Sequence, residues 1–88
     1  MAPKADDFRA ELRRLLKKAE DLGFVAVDIN SGNLHRMVGG YPGPDHRMPT
    51  CCDVMYSEMS AKDERVSQTE STLGASVVVR YYLPRTGA

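Results

Sequence analysis

The chain has 88 residues, 42% hydrophobic and 27% charged, with Lys plus Arg and Asp plus Glu both at 12 and a formal net charge of zero. That length holds one domain with one modest core and leaves little room for a deep, multi-residue active site. Zero net charge excludes a polycation that collects on nucleic acid by charge alone, so any such role must come from a local patch.

No stretch approaches the ~18 apolar residues of a membrane span, and Met1 to Asp7 lacks the basic-then-apolar order of a signal peptide. The expectation is a cytoplasmic chain with no membrane contact. The two cysteines, Cys51 and Cys52, are adjacent, which fits disulfide geometry badly, so reduced thiols are expected.

Residues 1–6 read as a flexible N-terminus. From 7 to 22, Phe8, Leu12, Leu15, Leu16, Ala19 and Leu22 follow the spacing of one helix face, with Arg9, Arg13, Arg14, Lys17 and Lys18 filling the remainder. Asp6 or Asp7 is placed to cap this helix, and Gly23 to end it, with Phe24 folding back on the last turn. Phe24 to Ile29 is a short apolar, β-branched run bounded by Gly23 and Asn30, the mark of a strand. Ser31 then offers an N-cap to a two-turn helix in which Leu34, Met37 and Val38 share a face and Gly39-Gly40 is the stop.

The stretch GGYPGPD, Gly39 to Asp45, is dense in turn formers and reads as a rigid connection. Beyond it Pro49 suits the first turn of a third helix, 48 to 59, with Met48, Cys52, Met55 and Met59 inward and Thr50, Asp53 and Ser57 outward. Residues 60 to 74 are polar, with 65 to 69 reading as an exposed strand and 70 to 74 as a loop tip. Ser76 to Leu83 alternates Val77, Val79, Tyr81 and Leu83 against Ser76, Val78, Arg80 and Tyr82, and Pro84 ends it. Residues 84–88 read as a loose tail, which leaves 7–83 as the domain.

These elements predict an α+β fold of three helices and a small antiparallel sheet in the order α-β-α-α-β-β. That order resembles the winged helix-turn-helix class, in which a helix and a short strand precede a helix-turn-helix and a two-stranded wing closes the domain. The resemblance rests on element order and covers residues 7 to 83. It implies that 48 to 59 is a recognition helix for the major groove and 65 to 83 a wing on the nucleic-acid backbone. The outward face of this third helix offers Thr50, Asp53 and Ser57 where such helices usually present Arg, Lys, Asn or Gln. The turn before it is also longer than the usual three or four residues.

Chemistry-bearing residues concentrate at 34–36 and 46–52. His35, His46, Cys51 and Cys52 are candidate zinc ligands, but adjacent residues on a helix diverge by about 100° and cannot readily share one metal. Cys51 near a helix N-terminus is a candidate nucleophile with His35 or His46 as base; against this, free cysteine is among the most buried side chains and spacing places no orienting carboxylate. For Arg36, His46 and Arg47 two readings stand level: a cationic mouth that grips phosphate or an acidic partner, or side chains that bond and cap the loop. Tyr41 reads as a loop anchor, and the charges of the first helix as a solvated face.

The expectation drawn from these features is a binding protein with no enzymatic activity, no cofactor and no metal. In the first reading it is a winged-helix nucleic-acid-binding or regulatory protein that holds DNA through Arg36, His46, Arg47, Thr50, Ser57 and Arg80. In the alternative it is a winged-helix-like protein-interaction adaptor of a larger complex, using the third helix and the GGYPGPD loop. A homodimer through the first helix or a strand edge suits either.

Overall fold

The computed structural model describes residues 3–39, 43, 47–66 and 73–84. They form α1 (Ala5–Asp21), β1 (Ala26–Asn30), α2 (Ser31–Val38), α3 (Met48–Ser57), β2 (Glu64–Arg65) and β3 (Val78–Tyr82). This is the expected α+β architecture in the expected element order. The strands make one antiparallel sheet in the order β1-β3-β2, so the last strand lies between the other two. No helix among the described residues is long and apolar enough to cross a membrane.

The first helix takes in Ala5 and Asp6, ahead of its expected start. Lys4 is the N-cap, and Asp7 is not itself the cap: its carboxylate reaches back to accept the Lys4 backbone N–H at 2.8 Å. At the other end Gly23 adopts φ +87, and the N–H groups of Gly23 and Phe24 bond the carbonyls of Glu20 and Ala19. This is the Schellman ending that only glycine enters without strain. Leu22, Phe24 and Val25 are 66, 57 and 77% exposed, and the strand begins only at Ala26.

Phe8, Leu12 and Leu16 from α1, Ile29 from β1, Leu34 from α2, Met48, Cys51, Cys52, Val54 and Met55 from α3, and Val77, Val79 and Tyr81 form the core. The alternation expected for the last strand holds: Val77, Val79 and Tyr81 are fully buried, while Ser76 and Tyr82 are exposed. Tyr81 donates its hydroxyl to the Met55 carbonyl at 2.7 Å. Met55 lies in the last turn of α3, where carbonyls lack helical donors, so this bond satisfies both groups and ties sheet to helix. The face expected for α2 is rotated: Leu34 and His35 are buried, whereas Met37 is 57% exposed.

The N-cap of α2 is Asn30, one residue before the expected Ser31. Its Oδ1 accepts the Asn33 N–H at 3.0 Å while its Nδ2 donates to Ala75 O at 3.0 Å. Ser31 is buried and donates its hydroxyl to Gly74 O at 2.6 Å and its N–H to Val77 O at 2.9 Å. Gly32 donates its N–H to Ala75 O at 3.1 Å. The tripeptide Asn30-Ser31-Gly32 thus grips the segment that leads into β3.

The outer strand β2 is shorter than the expected 65–69; Val66 extends its ladder by donating to Val78 O at 3.0 Å, and 67–69 lie outside the described residues. Next to it the buried Asp63 accepts N–H groups from Ser60 at 2.7 Å and Tyr82 at 2.8 Å, which closes the turn after α3 and adds a rung beside the ladder.

At Gly32 a Cβ would lie 2.9 Å from Ala75 O and 3.2 Å from Asn30 Oδ1, both committed to the bonds above. Gly32→Ala is expected to lower stability by about 1–3 kcal/mol, the range for an overpacked site. Urea unfolding followed by circular dichroism measures it, and an unchanged midpoint rejects the close-approach account.

Candidate functional site

The junction of α2 and α3 is organised by a buried histidine. His35 is fully buried, its ring edge-on to Phe8 with centroids 4.8 Å apart, and its Nε2 accepts the Arg47 backbone N–H at 2.8 Å. An accepting Nε2 carries no proton, so His35 stands here as a neutral ring that pins the start of α3 to α2. The residue considered as a zinc ligand or base is therefore committed to structure.

The thiols are equally enclosed. Cys51 and Cys52 are both free and fully buried, with sulfurs 3.5 Å from the carbonyls of Ser31 and Gly74 respectively. Burial pushes the Cys51 thiol up to about 12, with a smaller contribution from Cys52, and burial also raises Cys52. A thiol held protonated is a poor nucleophile and a poor metal ligand. Among the described residues no group of three or more His, Cys, Asp or Glu is placed to hold a metal ion.

Arg36 and Arg47 are exposed and stand on either side of the His35 contact, and Arg36 donates to Asn33 Oδ1 at 3.2 Å. Thr50, half-buried, lies one turn further along α3. The His35 bond thus sets the end of α2 that carries Arg36 against the start of α3 that carries Thr50. Ser57 is exposed at the far end of α3, but its hydroxyl turns back to donate to Val54 O at 2.9 Å. His46 and Tyr41 lie outside the described residues.

Arg80 is elsewhere. It follows the core-facing Val79 on β3, so its side chain leaves the sheet on the face opposite the helices. There Asp28, its register partner on β1, receives two of its N–H groups at 2.8 and 3.2 Å, and Glu64 approaches to 3.7 Å. The Arg80 hydrogen bond holds the Asp28 carboxyl below its ordinary value.

The chain matches no family model, no curated protein and no solved structure. What the site can do is accordingly read from its own geometry. The basic strand residue on the helix side of the sheet is Arg65, which pairs with Val79 and so shares its face. Burial raises the Tyr56 phenol and the Cys52 thiol above their ordinary values, and the Arg65 charge draws both back, which places it beside α3. Sequence reasoning missed this role, because the long connection between β2 and β3 leaves their register unspecified until the strands are seen paired.

The cations of α1 are largely neutralised. Arg9 pairs with Asp6 at 2.8 Å, Arg14 with Glu11 at 2.6 Å and Lys17 with Asp21 at 2.8 Å. Arg13 reaches Glu58, just beyond α3, at 2.6 and 3.3 Å. The first helix is a solvated, self-paired face, as its interleaved charges suggest.

Two outcomes follow. In the native protein a chromogenic disulfide reagent is expected to label neither cysteine on the time scale on which urea-unfolded protein releases both; fast native labelling of either rejects the enclosed arrangement. Because the folded Asp28 carboxyl lies below its ordinary 3.8, its pairing stabilises the fold fully above that pH and ceases to as pH falls through the lowered value. Arg80→Gln should therefore lower the melting temperature near neutral pH, with a difference that shrinks as pH falls below 3.8 and Asp28 takes up its proton. A difference that persists in acid rejects the ion pair as the cause.

Proposed function

We propose that the protein is a small winged-helix nucleic-acid-binding module that holds duplex DNA through the outward face of α3. The observation that carries this reading is the local charge balance around that helix. Arg36 and Arg47 stand at its start, and the exposed Lys62 and half-buried Arg65 follow its end. Of the nearby carboxylates among the described residues, Glu58 is held by Arg13, Glu64 lies by Arg80 and Asp63 is buried on backbone N–H groups, which leaves Asp53. Four cations thus flank a helix whose own single charge is Asp53, and this local grouping is what a nucleic-acid role would use. The strand order β1-β3-β2, with α2 packed against α3, supports the winged-helix comparison. Arg36, Arg47, Thr50 and Arg65 contact the duplex in this reading, and Arg80 and the Ser57 hydroxyl drop out.

Fluorescence anisotropy with a mixed-sequence duplex at low salt tests it. Binding should be modest and should weaken steeply as salt rises. Arg47→Glu and Arg65→Glu should each weaken it by about tenfold, while Arg80→Gln should leave it unchanged. No binding at low salt, or indifference to Arg47→Glu, sinks the proposal.

One observation favours the protein-interaction reading instead. Leu22, Phe24 and Val25 present three large apolar side chains to solvent within four residues, at a corner of the fold that the first reading leaves unused. In that case a partner retained from nuclease-treated host lysate is lost on Phe24→Asp and kept on Arg47→Glu. The reverse pattern removes this reading.

A further inference from the structure

Every carboxylate but one among the described residues is engaged. Among the described residues, those of α1, β1 and β2, together with Glu58 and Asp63, close on a cation, accept a backbone N–H or are otherwise engaged. Asp53 is exposed in the second turn of α3, with no ion pair or side-chain hydrogen bond. It lies three residues after Thr50 and four before Ser57, at the centre of the outward face.

We propose that Asp53 is the base-reading residue of α3, accepting a hydrogen bond from the exocyclic amino group of a cytosine in the major groove of B-form DNA. The inference rests on the nucleic-acid reading above. A carboxylate turned toward phosphates is repelled, so on a DNA-binding face it is tolerated where it meets a donor. The major groove offers two kinds, the N4 amino group of cytosine and the N6 amino group of adenine. Adenine sets the N7 acceptor beside its amino group, and a carboxylate that accepts from one is repelled by the other. Guanine and thymine present only acceptors or a methyl group at this edge, which leaves cytosine. The deep, narrow major groove of an RNA duplex does not admit the helix, so the substrate class is duplex DNA.

Asp53 therefore sets sequence preference at the expense of general affinity, and its substitution has two opposite effects. Selection from a duplex pool with a randomised core, at low salt, followed by sequencing of the bound fraction, reads both. Wild-type protein is expected to enrich a C·G pair at one position. Asp53→Ala should lose that preference, a drop in discrimination of roughly tenfold, while binding the unselected pool more tightly. Asp53→Asn should move the preference to A·T, because an amide matches both groups of adenine. Because Asp53 is exposed and makes no ion pair, unchanged melting temperatures show that folded proteins are being compared. If wild-type protein binds the pool with no base preference, or if all three proteins share one preference, the inference is overturned and the DNA-binding reading stands. If wild-type protein binds no duplex at low salt, both fall together.

Discussion

The hydrogen bonds from Asn30, Ser31 and Gly32 to the segment 74–77 are the constraint on which the rest of the arrangement depends. These three residues end β1 and begin α2, so the same bonds that cap the helix also fix where β3 enters the sheet. They close a chain separation of more than forty residues with backbone and short polar groups, which allow little slack. The two thiols of α3 lie against the carbonyls of Ser31 and Gly74, so the third helix docks on the same knot. With β3 placed centrally, β1 and β2 pair on either side of it and Tyr81 reaches the end of α3. A shift of one residue at Gly32 would displace both the helix pair and the central strand.

Much of the fold was legible because it rests on local periodicity. The apolar stripe of the first helix and the strict alternation of 77–83 are patterns a chain cannot carry by accident over such lengths, and both resolve into buried faces. What escaped was decided by non-local partners. Asn30 and Ser31 are equally good capping residues in isolation, and the choice falls on Asn30 because the Ser31 hydroxyl is drawn to Gly74. Met37 follows the helical spacing of Leu34 and Val38, yet His35 takes the inward place because the Arg47 N–H needs an acceptor there. Asp63 gave no sign of burial, since its partner N–H on Tyr82 lies nineteen residues away.

The candidate site was legible at one corner and not across the molecule. Arg36, Arg47 and Thr50 belong to the two helix ends that the His35 bond joins, a contact that is nearly sequential. Arg80 was grouped with them on alternation alone, which says that it faces away from Val79 but not which elements share that side. Register supplies the missing step, sending Arg80 to Asp28 and Arg65 to α3. Charge counting has the same character. A total of zero conceals a first helix whose charges pair largely among themselves and a third helix whose own single charge is Asp53, with cations before and after it.

The Asp28–Arg80 pair has a meaning for how the molecule behaves in a crowd. β1 is an edge strand, and the backbone groups of Ala26 and Asp28 that do not point toward β3 face outward along that edge. An open edge is a template on which another extended chain can add, the usual start of aggregation. A carboxylate midway along so short a strand, locked in place by an arginine from its neighbour, makes a poor landing site for an apolar strand. The same pair that closes the outer face of the sheet thereby sets paired charge on its border, where an apolar strand would have to land.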